Sequence, residues 1–435
     1  MNTQTTNITT EKQLEPQLRF REFDDFWSEI KYGEIFSFYS TNSFSRDNLN
    51  YEDGQVKNIH YGDIHTKFST MFNIEEEKVP YINENVDLSR IKADCYCKEG
   101  DLVIADASED YNDIGKSIEL INLNNGKLLA GLHTFLARPD KYEISKGFPG
   151  YLVQSWKIRK QIMTIAQGTK VLGLATSRLG KIKLNLPTLP EQQKIASFLT
   201  AVDTKLQQLT NKKELLQQYK KGVMQQLFSQ QLRFEQHDGS DYPDWEEKKL
   251  GEIGSTLNGL TGKTKEDFGE GKPYIQYMQI FADSKINLEQ CGYVSVTEGE
   301  NQTRVKYGDV FFTTSSETPL EIGTSSVLLD DIEELYLNSF CFGYRPELKL
   351  QPEFARFLFR SSYFRRKIIP LAQGSTRYNM SKKELLKLKV DLPIKEEQQQ
   401  IASYLAVLDT KIETVTQQIE TTQLFKKGLL QQLFV

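Results

Sequence analysis

From Glu191 to Phe228 the apolar positions advance mostly in alternating steps of four and three, through Ile195, Leu199, Val202, Leu206, Leu209, Leu216, Val223 and Leu227, with Lys213 and Lys220 interrupting. The pattern returns from Glu397 to Phe434 in Ile401, Leu405, Leu408, Ile412, Val415, Ile419, Leu429 and Leu433, interrupted by Thr422 and Lys426. A seam sustained this way keeps its apolar residues on one stripe of a slightly underwound helix, so each stretch is predicted to form a left-handed coiled coil. Helices inside globular domains seldom exceed about 20 residues, whereas 38 residues at about 1.5 Å each make a rod of about 57 Å.

Elsewhere the period shortens. The runs 101–105, 117–121, 309–313 and 325–329 are apolar and β-branched, bounded by turn formers, and read as strands of small twisted sheets. Helical stretches are expected near 151–166 and 352–371. The predicted class is α+β: two pseudo-symmetric globular domains of mixed α and β structure, separated by two long helices that form an antiparallel coiled coil. The expected divisions are a disordered leader 1–16, a first domain 17–190, a helix 191–229, a second domain 230–396 and a second helix 397–435.

The two long stretches are copies of one another. Aligned at an offset of 206, they share 20 of 38 residues without a gap. Weaker matches extend the repeat: Leu18-Arg19-Phe20 with Leu232-Arg233-Phe234, Trp27 with Trp245, Tyr61 with Tyr277, Gly100-Asp101 with Gly308-Asp309, Arg138-Pro139 with Arg345-Pro346, and Ala166-Gln167-Gly168 with Ala372-Gln373-Gly374. Between these anchors the copies diverge, as two recognition modules with different targets would, or as unselected surface loops would. A period this long makes each unit a domain plus a helix, related by a pseudo-two-fold, and points to bivalent function. Because the chain before the first domain copies the chain after the first helix, the end of the second helix should return close to residue 20.

Charge is segregated along a chain of net charge −5. Residues 157–183 hold seven basic residues and no acid, and 363–389 hold eight basic residues and one acid. A basic run is usually a solvated helix face, but its duplication on an acidic background favours anion binding, most plausibly of DNA phosphate. Arg159, Lys160, Lys170 and Arg178, then Arg365, Arg366, Lys367, Arg377, Lys382 and Lys383, are the candidate DNA-binding residues. The seam residues Ile195, Leu199, Val202, Leu206 and Leu209, with Ile401, Leu405, Leu408, Ile412 and Val415, are the candidates for helix pairing and partner docking.

Catalytic signatures are missing. Gly262-Lys263-Thr264 suggests a phosphate loop, but that motif needs glycine where Leu257 stands. No dinucleotide fingerprint, metalloprotease helix, nucleophile elbow or Asn/Asp-Pro-Pro-Tyr/Phe tetrapeptide is found. His60 and His65 could contact a base or phosphate, though ordinary surface histidine is the commoner role, and they align with Gln276 and Phe281, so neither is a base needed by both halves. The four cysteines, Cys95, Cys97, Cys291 and Cys341, read as reduced thiols, not metal ligands. A polar N-terminus and the lack of a long apolar run predict a cytoplasmic protein.

Each copy carries Ala-Gln-Gly followed by Thr or Ser (166–169, 372–375), a Leu-Pro step, E-Q-Q-x-I-A-S-[FY]-L (191–199, 397–405), Asp-Thr-Lys (203–205, 409–411) and K-K-G-x-x-Q-Q-L-F (220–228, 426–434). In combination these resemble the DNA-specificity subunit of type I restriction-modification systems, over nearly the whole chain from about residue 17. The second copy follows the family through Gln373-Gly374-Ser375-Thr376-Arg377-Tyr378-Asn379-Met380-Ser381, whereas the first departs after Gly168, which leaves that loop's contacts open.

The resemblance implies two target-recognition domains, each reading one half of a split double-stranded DNA site, with the coiled coil fixing the gap. It also implies docking of two methyltransferase subunits, joined by two restriction-translocase subunits. The chain itself would be non-catalytic and hold no cofactor; S-adenosylmethionine, ATP and magnesium would belong to the partners. A non-catalytic coiled-coil scaffold with protein- or glycan-binding end domains also explains the repeat, though not the paired basic windows. A fused methyltransferase would need a cofactor motif that is not found.

Overall fold

The computed structural model describes residues 14–347 and 349–435. Most of the predicted leader, residues 1–13, lies outside the described residues; of its remainder, Leu14 accepts a hydrogen bond from the Trp27 N–H at 3.2 Å and packs on the core. The chain forms two compact units, one of residues up to 209 together with 418–435, the other of residues 210–417.

In the first unit a five-stranded sheet runs in the order Phe36–Tyr39, Thr134–Pro139, Leu102–Ala105, Ser117–Asn122, Met71–Asn73, and a four-stranded sheet in the order Lys127–Ala130, Val56–Ile59, Tyr81–Ile82, Leu49–Asn50. The central strand is buried on both faces, which is why its sequence is apolar throughout instead of alternating. Leu102 and Ile104 join a core shared with the long helices, whereas Val103 and Ala105 join a second core with Ile59, Ile64, Phe72 and Leu128. The second unit repeats this. Its four-stranded sheet runs Gly254–Asn258, Cys341–Pro346, Val310–Thr313, Ser325–Val327, with Val310 and Phe312 facing the helix-side core and Phe311 the other.

The expected helical stretch near 151–166 is two helices, Phe148–Leu152 and Trp156–Ile165, and its counterpart is Pro352–Leu358 and Ser362–Ile368. A serine starts the later helix in each pair. Ser361 Oγ accepts from the Phe364 N–H at 3.2 Å, a side-chain cap that offers the backbone an alternative to helix continuation.

The long helices span Leu189–Phe228 and Lys395–Gln432. Ile195, Leu199, Val202 and Leu209 are buried, as are Ile401, Leu405, Leu408 and Val415, while Leu206 and Ile412 are half-buried. Two of the lysines that interrupt the seam are ion-paired: Lys426 meets Asp203 at 2.6 Å in the first unit, and Lys220 meets Asp409 in the second. Partner number falls as residue number rises, so the helices run antiparallel. The aspartates are those of the repeated Asp-Thr-Lys, each held from a second side, by the Tyr151 hydroxyl at 2.9 Å and by Arg356 at 2.7 Å.

Most other repeated anchors form the same device twice. Arg19 grips Glu191 with two hydrogen bonds of 2.8 Å, and Arg233 grips Glu397 at 3.1 and 2.8 Å. Arg138 and Arg345 fork onto the buried carboxylates of Asp101 and Asp309. Gln192 and Gln398, both buried, each accept one main-chain N–H and donate to two carbonyls across the helix start. The Leu18 N–H donates to the Gln432 carbonyl at 3.0 Å and Trp27 packs edge-on against Phe434, so the end of the second helix does meet residue 20's neighbourhood.

Glu119 has no counterpart in the second unit, where Val327 stands. Burial pushes its carboxyl up from 4.5 to about 7, against the pull of the Gly147 and Gly150 N–H donors at 2.5 and 2.8 Å. The folded pKa exceeds the unfolded one, so the folded unit keeps a proton that the unfolded chain releases. This contribution to the first unit's stability is therefore present below about pH 4.5 and lost as pH rises to about 7. Thermal unfolding across that window should show the decline, and Glu119→Gln should flatten it.

Candidate nucleic-acid interface

The repeated Ala-Gln-Gly opens a loop closed by paired main-chain hydrogen bonds, Gln167 with Gly173 at 3.0 and 2.7 Å and Gln373 with Asn379 at 2.9 and 2.8 Å. Gly168 and Gly374 sit at φ 135 and 128. A Cβ there would lie 1.9 Å from the Val171 carbonyl oxygen or 2.2 Å from that of Arg377, so only glycine fits. The first loop therefore keeps the second's geometry although its sequence departs after Gly168. Thr169, Lys170 and Val171 are exposed at one tip, Ser375, Thr376 and Arg377 at the other. Replacing Gly374 with alanine should disorder this loop, visible as faster amide exchange over 372–380, at a cost of about 1–3 kcal/mol.

The basic candidates divide into two groups. Lys160, Lys170, Arg366, Arg377 and Lys383 are exposed, and Lys160 and Arg366 occupy equivalent helix positions. The rest are engaged. Arg365 donates to the carbonyls of Leu320, Ile322 and Gly323 at 2.7–3.0 Å, and Arg159 to that of Asn112 at 2.9 Å; burial lowers both guanidinium pKa values. Lys367 donates to the Tyr363 hydroxyl at 2.6 Å and the Lys389 carbonyl at 2.8 Å, Lys382 to Asn258, and Arg178 to the Ile165 carbonyl at 3.4 Å. Lys263 of the apparent phosphate loop pairs with Glu300 at 2.5 Å. Counting charge along the sequence could not make this division, because burial of the head group decides it.

Beside each loop lies a cluster that sequence reasoning, weighing His60 and His65 singly, does not assemble. In the first unit Tyr61 packs against His60, His65 and His133, with ring centroids 4.7, 5.9 and 5.3 Å away, and His133 Nδ1 lies 3.3 Å from Asp106. His60 is buried, accepting the Gly62 N–H through Nδ1 at 3.2 Å, and its pKa is lowered, chiefly by burial. In the second unit Tyr277 stacks with Phe281 at 6.5 Å and lines a cavity with Met278, Phe340 and Arg377. The repeated tyrosine was the available signal.

The type I restriction modification DNA specificity domain matches residues 25–218 and again 242–423. Two specificity subunits of Methanocaldococcus jannaschii type I restriction enzymes are similar in sequence. MjaX is 27% identical over 349 residues, 76% of this chain and 77% of that protein; MjaVIII is 27% identical over 292 residues, 64% and 68%. The type I restriction-modification S subunit from M. genitalium aligns over 97% of this chain and 99% of its own, with a TM-score of 0.56 and 15% identity, a likeness of fold. With two copies of that domain covering most of its length, this chain belongs to the specificity subunits of type I restriction-modification systems.

Proposed function

We propose that each unit reads one half of a bipartite double-stranded DNA target, that the paired long helices set the gap between the halves, and that two methyltransferase subunits dock on the chain. The chain contributes no catalytic group; S-adenosylmethionine, ATP and magnesium act on the partner subunits, restriction subunits among them. One observation carries this reading. The two units share ion pairs, buried glutamine bridges and loop closure nearly bond for bond, yet differ in the side chains exposed around those loops. A common frame with dissimilar contact surfaces suits two readers of different sequences. Methylome sequencing of a host with and without this gene tests it: one split motif should appear with the gene, and a continuous motif or none would defeat the proposal.

Phosphate contacts follow from exposure. Lys160, Lys170, Arg366, Arg377 and Lys383 can meet a phosphate without giving up a side-chain partner among the described residues, and each contact should contribute about 0.9 to the slope of log affinity against log salt. Replacing Arg366, Arg377 and Lys383 together should flatten that slope in the assembled complex on any DNA sequence. Replacing Arg365 alone should leave the slope intact and lower stability, because three carbonyls lose their donor.

A further inference from the structure

The second unit carries an open cavity of about 460 Å³ with Tyr277, Phe281, Phe340 and Met278 in its wall beside Glu317, Glu321 and Arg377. Phe340 is 66% exposed and Met278 64%. Clustered apolar side chains left in water mark a binding surface.

The matching place in the first unit is held by the same main-chain bonds. Thr314 N–H donates to the Phe340 carbonyl and Asp106 N–H to that of His133, both at 3.1 Å; Met380 N–H donates to Thr314 at 3.0 Å and Leu174 N–H to Asp106 at 2.8 Å. The Ser315 carbonyl takes the Tyr277 hydroxyl at 2.8 Å, while its equivalent at Ala107 lies 3.0 Å from His65 Nε2. On this common frame Phe340 replaces His133, Met278 replaces Gly62 and Phe281 replaces His65. One surface carries aromatic rings and a thioether where the other carries imidazoles and a bare glycine.

We infer that this pocket is the base-reading site of the second unit and that it takes the 5-methyl group of a thymine in the major groove. This deepens the reading of the units as half-site readers and rests on it. Thymine alone offers a methyl group there, and covering Phe340 and Met278 with it removes apolar surface from water. Glu317 repels phosphate and can accept only from an amino group such as adenine N6 or cytosine N4, which fits a base edge. Arg377, without an ion pair among the described residues, supplies the phosphate contact beside it. The first unit's His133 and Asp106 read by hydrogen bonding and gain nothing from a methyl group.

The test uses the chain assembled with its methyltransferase subunits on duplexes carrying deoxyuridine in place of single thymidines. At one position of the second unit's half-site, wild type should bind about tenfold more weakly without the methyl group, the scale of one methyl-sized group in an apolar pocket. Phe340→Ala should bind both duplexes alike, and Phe340→Leu, which restores an apolar wall, should regain the difference. Indifference of the wild type at every thymine, a half-site without thymine, or discrimination that survives Phe340→Ala overturns the inference. Loss of bipartite methylation altogether defeats the underlying reading, whereas bipartite methylation with uracil tolerated defeats this inference alone.

Discussion

Replacing Arg233 with alanine is expected to destabilise the second unit by about 3–5 kcal/mol, the usual consequence of leaving a buried charge without its partner. Glu397 is fully buried, and Arg233 supplies two of its hydrogen bonds; among the described residues Trp245 Nε1, at 3.1 Å, is the donor that remains. The loss comes less from the pair's own worth than from the stranded carboxylate. Adding Glu397→Gln to Arg233→Ala should therefore recover much of the stability, making the double variant far milder than the sum of the singles. Arg19→Ala should act alike on the first unit, where Glu191 is 1% exposed. Urea unfolding followed by amide exchange at 395–405 and 189–199 would resolve the units; equal loss in single and double variants would show that the arginine acts by packing.

The second large effect is on specificity. Exchanging residues 36–165 for the corresponding segment of a relative should change one half of the recognised sequence entirely and leave the other half unchanged. The physical reason is the double core. Ile59, Ile64, Phe72, Leu120, Leu128 and Leu136 belong to a cluster contained between residues 39 and 136, so most of what determines that surface travels with the segment. The core that must be matched, around Leu102, Ile104, Phe148 and Tyr151, faces helix residues Ile195 and Leu199. Methylome sequencing reads the outcome, and a change in both halves would count against modular reading.

The long helices were legible because a seam of period 3.5 has no other cheap explanation, and even its interruptions were informative once Lys220 and Lys426 were seen against Asp409 and Asp203. The repeated anchors were visible as letters without roles: nothing in Arg19 and Glu191, separated by 172 positions, announces a bidentate pair. The basic windows were legible as charge but not as exposure. Arg365 and Arg366 are neighbours in sequence, yet one serves three carbonyls and the other faces water. The aromatic and histidine clusters stayed hidden because their members, such as Tyr61 and His133, lie far apart in sequence and meet only in the fold.

The first unit draws on both ends of the described chain, with Leu429, Leu433 and Phe434 in the same core as Trp27 and Phe148. The second unit is one uninterrupted stretch, 210–417. Domains commonly fold in the order the ribosome makes them. Here that order is expected to reverse: the stretch begun first cannot close its core until residues 418–435 are available, after the whole of the later stretch has been made. The early strands are then expected to wait with an unfilled groove, so a released chain truncated at residue 417 should show one finished unit and one open to chaperones and proteases.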